Sequence, residues 1–201
     1  MDALTHAVEA FIGRSTTKET RHLAKQAVRF IFKNLETAYA DPSNETARRS
    51  MLYAAHYAGL AFSKSYVGYI HAVSHSLSGQ YNIPHGLANS VLLPIVLEDY
   101  GKAVYKQLHE LSVVAGLCFK NDSYRYGAKK FISAIKDMNA RMNIPKMIPE
   151  ILKEDIPIMA KHADKEANPL YPVPVLMDAK ELERLYHKAS CRTRIKNTDS
   201  R

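Results

Sequence analysis

Aspartate and histidine pairs at helical spacing are the residues of this chain best suited to chemistry. Asp2 and His6 are four residues apart, as are His71 and His75, so each pair would share one face of a helix. An aspartate with imidazoles and no thiolate is a ligand set that suits Fe(II) or Zn(II) and leaves a position open for another molecule. Spacing alone leaves a second interpretation open, because a histidine on an apolar helix face is often a hydrogen-bonded core residue.

His85 could join His71 at such a site only if the chain turns between them. In a single helix from residue 71 to residue 85, the two ends would be about 21 Å apart at about 1.5 Å per residue. We predict the turn at Gly79 and Pro84, since glycine easily leaves the helical conformation and proline cannot continue a helix.

The elements that must position these residues are helices, because apolar residues recur at helical spacing along almost the whole chain. Thr16 with Glu19 predicts a capping box that starts one long helix, and Asn44 predicts the cap of the next. We expect Pro94 and Pro157 to kink or shorten their helices. Further helices are predicted at about 69–78, 86–99, 102–117, 124–141, 148–165 and 178–189. The predicted fold class is all-α, a compact multi-helix bundle.

Length and cysteine usage favour a single cytoplasmic domain. At 201 residues the chain can bury one core, and no apolar stretch approaches the roughly 18–20 residues that cross a bilayer. The first residues lack the basic start and apolar run of a secretory signal. The sequence therefore predicts no membrane partner. Cys118 and Cys191 form no CxxC pair, so we expect free thiols.

The net charge of +8 would suit nucleic acid, but its distribution does not. There is no aromatic RNA-binding signature and no helix-turn-helix pattern, so we expect no nucleic-acid partner. We predict that residues 190–201 form a basic, disordered tail after a helical domain over residues 1–189. The basic residues that crowd the chain's last part are Lys188, Arg192, Arg194, Lys196 and Arg201.

Two longer stretches resemble a known family. Residues 1–9, MDALTHAVE, are similar to the first metal-ligand segment of the iron-containing (group III) alcohol dehydrogenases, in the dehydroquinate synthase-like superfamily. Residues 68–89, GYIHAVSHSLSGQYNIPHGLAN, are similar to the second signature of that family, with the same interval between the two liganding histidines. The resemblance runs from residue 1 to about residue 189 and implies the family's carboxy-terminal helical, metal-binding domain.

The resemblance also implies roles for individual residues. The implied ligands of one divalent ion, Fe(II) with Zn(II) as the alternative, are Asp2, His6, His71 and His85. His75 would face the nicotinamide and the substrate and act in catalysis. Phe62 would line the substrate pocket, although plain core packing explains it equally well. Residues 64–67 and 168–172 depart from the family's commoner sequences near the pocket, so substrate preference does not transfer.

The function implied is an NAD(P)-dependent oxidoreductase that interconverts alcohols and aldehydes or ketones, with the metal ion acting as a Lewis acid. In the family a nucleotide-binding domain precedes the helical domain, and the eight glycines here form no GxGxxG loop. We therefore expect a truncated chain that is inactive alone. It would need a separate nucleotide-binding partner, or would self-associate through the open face around Asp2, His6, His71 and His75. The alternative is a non-catalytic metal-binding or interaction domain left by a truncated or split dehydrogenase gene.

Overall fold

The computed structural model describes residues 1–191. Within that range it contains no strand, and only an isolated bridge joins Ile148 to Ser190. The prediction of an all-α fold is confirmed. The helices are α1 (Asp2–Ile12), α2 (Lys18–Ala40), α3 (Glu45–Ser65), α4 (Tyr69–Tyr81), α5 (His85–Tyr100), α6 (Tyr105–Val114), α7 (Tyr124–Arg141), α8 (Ile156–Ala167) and α9 (Ala179–Ala189), with 3-10 turns at Gly101–Val104 and Lys153–Asp155.

Helix α1 lies at the centre of the bundle. Leu4, Val8 and Phe11 are fully buried, and the helix packs against α2, α3, α5 and α6. A helix that is apolar on nearly every side must be covered on nearly every side. The ionisable residues of α1, Asp2, His6 and Glu9, are spaced four and three residues apart and so lie along one stripe. The core therefore fixes the direction in which that stripe faces.

Helix α2 begins one residue later than the sequence suggested. Thr17, not Thr16, is the N-cap: its hydroxyl accepts from Thr20 N at 3.2 Å, and the Thr20 hydroxyl accepts from Thr17 N at 2.8 Å. The predicted Thr16/Glu19 capping box is wrong because Glu19 instead accepts a hydrogen bond from Lys64 of α3, at 2.6 Å. The predicted Asn44 cap of α3 is confirmed, with Ala47 N donating to its side chain at 2.9 Å.

The turn between α4 and α5 is made by Asn82 rather than Gly79. Gly79 lies inside α4, whereas Asn82 has φ 54° and ψ 33°, the left-handed conformation that asparagine tolerates better than most residues. Pro84 then forms the N-cap position of α5, as predicted. Because the chain reverses in so few residues, His85 becomes the first residue of α5 and returns toward α4.

Pro94 does not shorten its helix, whereas the helix that contains Pro157 is shorter than predicted. Helix α5 continues past Pro94 to Tyr100. Pro157 lies in the first turn of α8, where backbone N–H groups make no hydrogen bond within the helix, so its missing N–H costs nothing there. The predicted helix 148–165 is therefore wrong at its start, since α8 begins at Ile156 after a 3-10 turn. The predicted helix 102–117 divides into a 3-10 turn and α6. The prediction 124–141 matches α7 at both ends.

The remaining predictions meet the structure in part. Cys118 and Cys191 are free thiols, as expected. No helix among residues 1–191 is long and apolar enough to span a membrane. Lys188 does not belong to a solvated tail, because it lies in α9 and forms an ion pair with Asp99. Residues 192–201 of the predicted tail lie outside the described residues, so the division at residue 190 stays a prediction.

Candidate metal centre

Helices α1 and α4 bring donor atoms to one place. Helix α1 supplies Asp2 and His6, and α4 supplies His71. One donor atom from each of these residues lies within 4.8 Å of the other two, a grouping found once among the described residues. His6 Nδ1 is 3.6 Å from Asp2 Oδ2, and the rings of His6 and His71 are 4.4 Å apart between centroids.

His85 adjoins this group without being part of the mutual set. Its Nε2 atom is 3.5 Å from Asp2 Oδ1, and its ring centroid is 5.3 Å from that of His71. The turn at Asn82 therefore brings residues 71 and 85 together, as the spacing argument required. His85 is half-buried, whereas His71 is 3% exposed, so the cluster runs from the core to the surface.

Asn89 is the residue that joins the donor atoms in the structure. It is fully buried on α5, one turn after His85, and its Nδ2 lies 2.6 Å from Asp2 Oδ1, 2.9 Å from His85 Nε2 and 3.3 Å from His71 Nε2. Three acceptors thus surround a group with two N–H bonds, while Asn89 Oδ1 is buried without a hydrogen-bond partner. The site holds more lone pairs than its own donors can satisfy.

The pKa values of Asp2, His6 and His85 are shifted toward protonation states in which these side chains have free lone pairs. Burial lowers the pKa of His6 to about 4, with the neighbouring His71 adding to the effect. Burial likewise lowers the pKa of His85. Burial raises the pKa of Asp2, but the hydrogen bond from Asn89 and the nearby histidines outweigh it, so the net pKa of Asp2 is lowered. Near neutral pH, the aspartate is therefore ionised and His6 and His85 are neutral.

His71 is held by a buried carboxylate. Its Nδ1 atom lies 2.5 Å from Glu9 Oε2, and both side chains are almost completely buried. Burial lowers the pKa of His71, but the charge and hydrogen bond of Glu9 outweigh it, and the net pKa is raised. The contact joins an imidazole nitrogen of α4 to a carboxylate of α1.

His75 lies at the surface edge of the cluster. It is 43% exposed, and its ring stacks on that of His85 with centroids 5.1 Å apart. Its Nδ1 atom is 2.7 Å from Glu166 Oε1 on α8, and the Tyr171 hydroxyl donates to the same oxygen at 2.8 Å. Burial and Glu166 both raise the pKa of Tyr171, so its hydroxyl remains a donor. His75 is thus oriented by a carboxylate that is itself anchored.

Phe62 of α3 borders the donor cluster. Its ring stacks on His6 with centroids 4.2 Å apart and an interplanar angle of 17°. The contact limits the orientations available to the His6 imidazole. Phe62 is also only partly buried and packed against the core, so the structure accommodates both the pocket role and the packing role expected from the sequence.

Helix α1 contributes little apolar surface to the face around Asp2, His6, His71 and His75. Its apolar residues are buried except for Ala3, which is partly exposed. Asp2, His75 and His85 form the exposed rim, which is polar. Self-association through this face stays a prediction.

Three residues around the cluster had no role in the sequence prediction: Glu9, Asn89 and Glu166. Glu9 follows Asp2 and His6 on the same helical stripe, and Asn89 follows His85 by one turn, so helical spacing could have indicated both. Glu166 comes from α8, far along the chain from His75, and no local pattern indicates that contact.

Comparison with known proteins identifies the family. The model of the Fe-containing alcohol dehydrogenase family, C-terminal, matches residues 1–190. The chain belongs to this family, and its helices form the family's C-terminal domain.

Individual relatives and a solved structure support this assignment to the family. A 1,3-propanediol dehydrogenase of Klebsiella pneumoniae is 41% identical over 170 residues, which are 84% of this chain and 44% of the relative. Alcohol dehydrogenase 4 of Saccharomyces cerevisiae is 35% identical over 171 residues, 83% of this chain and 43% of the relative. The crystal structure of a 1,3-propanediol oxidoreductase matches with a TM-score of 0.89 at 37% identity, covering 94% of this chain and 50% of that one. The chain spans about half the length of the relatives it matches.

Proposed function

We propose that this chain is the metal-binding catalytic half of an NAD(P)-dependent alcohol dehydrogenase that interconverts alcohols and aldehydes or ketones. The observation that carries the proposal is the convergence of Asp2, His6, His71 and His85, the positions that match the family's ligand motifs. We propose Fe(II) as the ion, with Zn(II) as the alternative, because a carboxylate and three imidazoles suit both.

The residues present fit a divalent cation. Donors bonded to one ion at about 2.1 Å in a tetrahedron are about 3.4 Å from one another. His6 Nδ1 is 3.6 Å from Asp2 Oδ2 and His85 Nε2 is 3.5 Å from Asp2 Oδ1, so each imidazole lies near that distance from one of the two carboxylate oxygens. The surplus of lone pairs around Asn89 is a second sign, because a cation would satisfy several acceptors at once where an amide satisfies two.

A bound ion would supply Lewis-acid polarisation of the substrate oxygen, and a nicotinamide cofactor would exchange the hydride. The chain's own residues position these partners. Asp2 and the neutral imidazoles of His6 and His85 present lone pairs, and His71 contacts Glu9 through Nδ1. His75 keeps Nδ1 toward Glu166, which leaves Nε2 free to hold or release a proton near the substrate, the role we propose for it. Phe62 would form part of the pocket wall.

The proposed reaction needs a nucleotide-binding half. The relatives are about twice as long as this chain, which supports a partner of that kind, whether on the same polypeptide or a separate one. The matched relatives are named for 1,3-propanediol and alcohols, so we propose a small alcohol as the substrate class. We also propose that the isolated chain is inactive and that the protein acts in the cytoplasm.

Metal analysis of the purified chain tests the metal site first. After anaerobic reconstitution with Fe(II) or Zn(II), we expect one ion per chain, and we expect His71→Ala to lose it. His56→Ala, which removes an exposed histidine of α3 outside the cluster, is the matched control and should retain the ion. Equal metal content in all three proteins, or none in the unaltered chain, would contradict the proposed metal site.

Activity is tested by adding a nucleotide-binding half. We expect NAD(P)H formation from a small alcohol only when this chain and the nucleotide-binding half of a relative are combined, and we expect His75→Ala to reduce it without removing the ion. Metal binding with no activity in the combined system would favour the alternative, a non-catalytic metal-binding domain.

A further inference from the structure

We propose that Glu9 is a positioning residue that fixes the orientation and tautomer of His71, with Gly68 providing the space it needs. The inference rests on the proposed metal-binding function and adds two residues to that site. Glu9 would hold the imidazole of His71 in place before any ion binds.

Both carboxylate oxygens of Glu9 have a fixed task. Oε2 accepts from His71 Nδ1, and Oε1 accepts from the backbone N–H of Ile70 at 2.8 Å. Ile70 is in the first turn of α4, where backbone N–H groups lack partners within the helix and the helix dipole favours a negative charge. The Glu9 carboxylate is 2% exposed, so these two hydrogen bonds replace those that water would otherwise make to it.

The proton on Nδ1 determines what His71 can do at its other nitrogen. With Nδ1 protonated, the neutral ring has its lone pair on Nε2, the atom that lies 3.3 Å from Asn89 Nδ2. Asn89 Nδ2 also contacts Asp2 and His85, so the lone pair of His71 would face the same group as the other two proposed ligands. Carboxylates that hold ligating histidines in this way commonly raise both the basicity of the ring and the affinity for metal.

Gly68 is the N-cap residue of α4 and lies directly against Glu9. A Cβ atom at position 68 would be 2.8 Å from Glu9 Oε1 and 3.6 Å from a methyl group of Val173. The carboxylate cannot step aside without losing the bond to Ile70 or to His71. The absence of a side chain at Gly68 is therefore a requirement of the Glu9 position.

Glutamine at position 9 keeps the shape of the side chain but has only one acceptor oxygen. It therefore cannot accept from Ile70 N at one oxygen and from His71 Nδ1 at the other, as Glu9 does.

Titration with Co(II), which has a visible spectrum sensitive to ligand geometry, tests the proposal on the full chain. We expect Glu9→Gln to weaken Co(II) binding by about 10- to 100-fold and to change the band positions. Glu166→Gln is the matched control, because Glu166 also bonds a histidine Nδ1, but that of His75, which is not a proposed ligand. The control should bind Co(II) within about threefold of the unaltered chain, well below the expected range.

A second pair of variants separates positioning from folding. Gly68→Ala keeps the carboxylate but displaces it, and should also weaken Co(II) binding. Gly79→Ala, in the same helix, has no atom within 4 Å of the added Cβ and should not weaken Co(II) binding.

NMR of the metal-free chain tests the tautomer directly. At a pH where His71 is neutral, we expect the Nδ1–H tautomer in the unaltered chain and a mixture of the two tautomers in Glu9→Gln.

The outcomes are distinguishable. If the unaltered chain binds no Co(II), the proposed function fails, although the tautomer of His71 still reports whether Glu9 positions it. If the unaltered chain binds Co(II) and Glu9→Gln binds it equally well with the same spectrum, the role of Glu9 is wrong and the metal site stands. If Glu9→Gln does not fold, Gly68→Ala binding Co(II) as tightly as Gly79→Ala overturns the proposal.

Discussion

Replacing Tyr69 with phenylalanine should destabilise the chain more than a single lost hydroxyl usually does. Tyr69 is fully buried in the first turn of α4. Its hydroxyl accepts from Met177 N at 3.0 Å and lies 2.7 Å from Asn168 Oδ1 and 3.1 Å from Met177 O, where it can donate. The hydroxyl thus ties α4, two residues before His71, to the segment between α8 and α9.

The magnitude follows from the groups left behind. Phenylalanine cannot accept from Met177 N, and a buried donor without a partner costs about 1–3 kcal/mol. The lost donated bond to Asn168 adds about 1 kcal/mol. Because water can reach part of the Asn168 side chain, we expect a total of about 2–3 kcal/mol rather than the full sum.

Urea unfolding followed by far-ultraviolet circular dichroism measures this loss. The slope of free energy against urea should be unchanged, so the midpoint alone should fall. Tyr39→Phe is the control, because Tyr39 is half-exposed and its hydroxyl has one bond, to Met142 O at 3.1 Å. A loss no larger for Tyr69→Phe than for Tyr39→Phe would refute the argument that the hydroxyl anchors α4.

Three further substitutions test other parts of the fold. Burial raises the pKa of Glu110, but Arg21 and Lys25 of α2 outweigh burial, and the net pKa is lowered. The ion pairs of Glu110 therefore stabilise the fold above the pKa that the group has in the unfolded chain. This stabilisation is lost as the pH falls through the pKa in the folded chain. Glu110→Gln should therefore lose up to about 1 kcal/mol at neutral pH and nothing in acid, measured by urea unfolding across pH. Gly127→Ala would place a Cβ 2.7 Å from a buried imidazole and should cost about 1–3 kcal/mol, whereas Gly59→Ala, which meets no atom within 4 Å, should not lower the melting temperature. Thr17→Ala should cost about 1 kcal/mol in urea unfolding and Thr16→Ala less, because only Thr17 accepts from the helix backbone.

Sequence patterns predicted the helices well where apolar periodicity and capping residues indicate the same boundaries. Helix α7 has a periodic apolar face and a serine cap at Ser123, and both of its ends were predicted. The start of α8 was not, because the apolar pattern continues back to Ile148 while the backbone there bridges to Ser190. Periodicity reports which side is buried, but it does not distinguish a helix from an irregular segment held by tertiary contacts.

The candidate site was predictable only as far as its ligand spacing. Asp2 and His6 stand out because their spacing places both on one helical face. Glu9 shares that face by spacing, but its role could not be predicted, since its contacts with His71 and Gly68 come from a distant part of the chain. Contacts that join distant segments, such as Glu166 with His75, leave no periodic trace in a single sequence.

The arrangement of α1 couples the core to the site. Because the apolar residues of this helix are enclosed by four other helices, its rotation is fixed by packing, and helix geometry then fixes Asp2, His6 and Glu9 relative to one another. His71 is fixed in turn through Glu9, and His85 by the left-handed Asn82 turn. Donor positions are thus determined by apolar packing and by backbone conformation. Binding of the proposed ion would then call for local rearrangement at Asn89 rather than assembly of the site, because Asn89 is the group that contacts the same lone pairs.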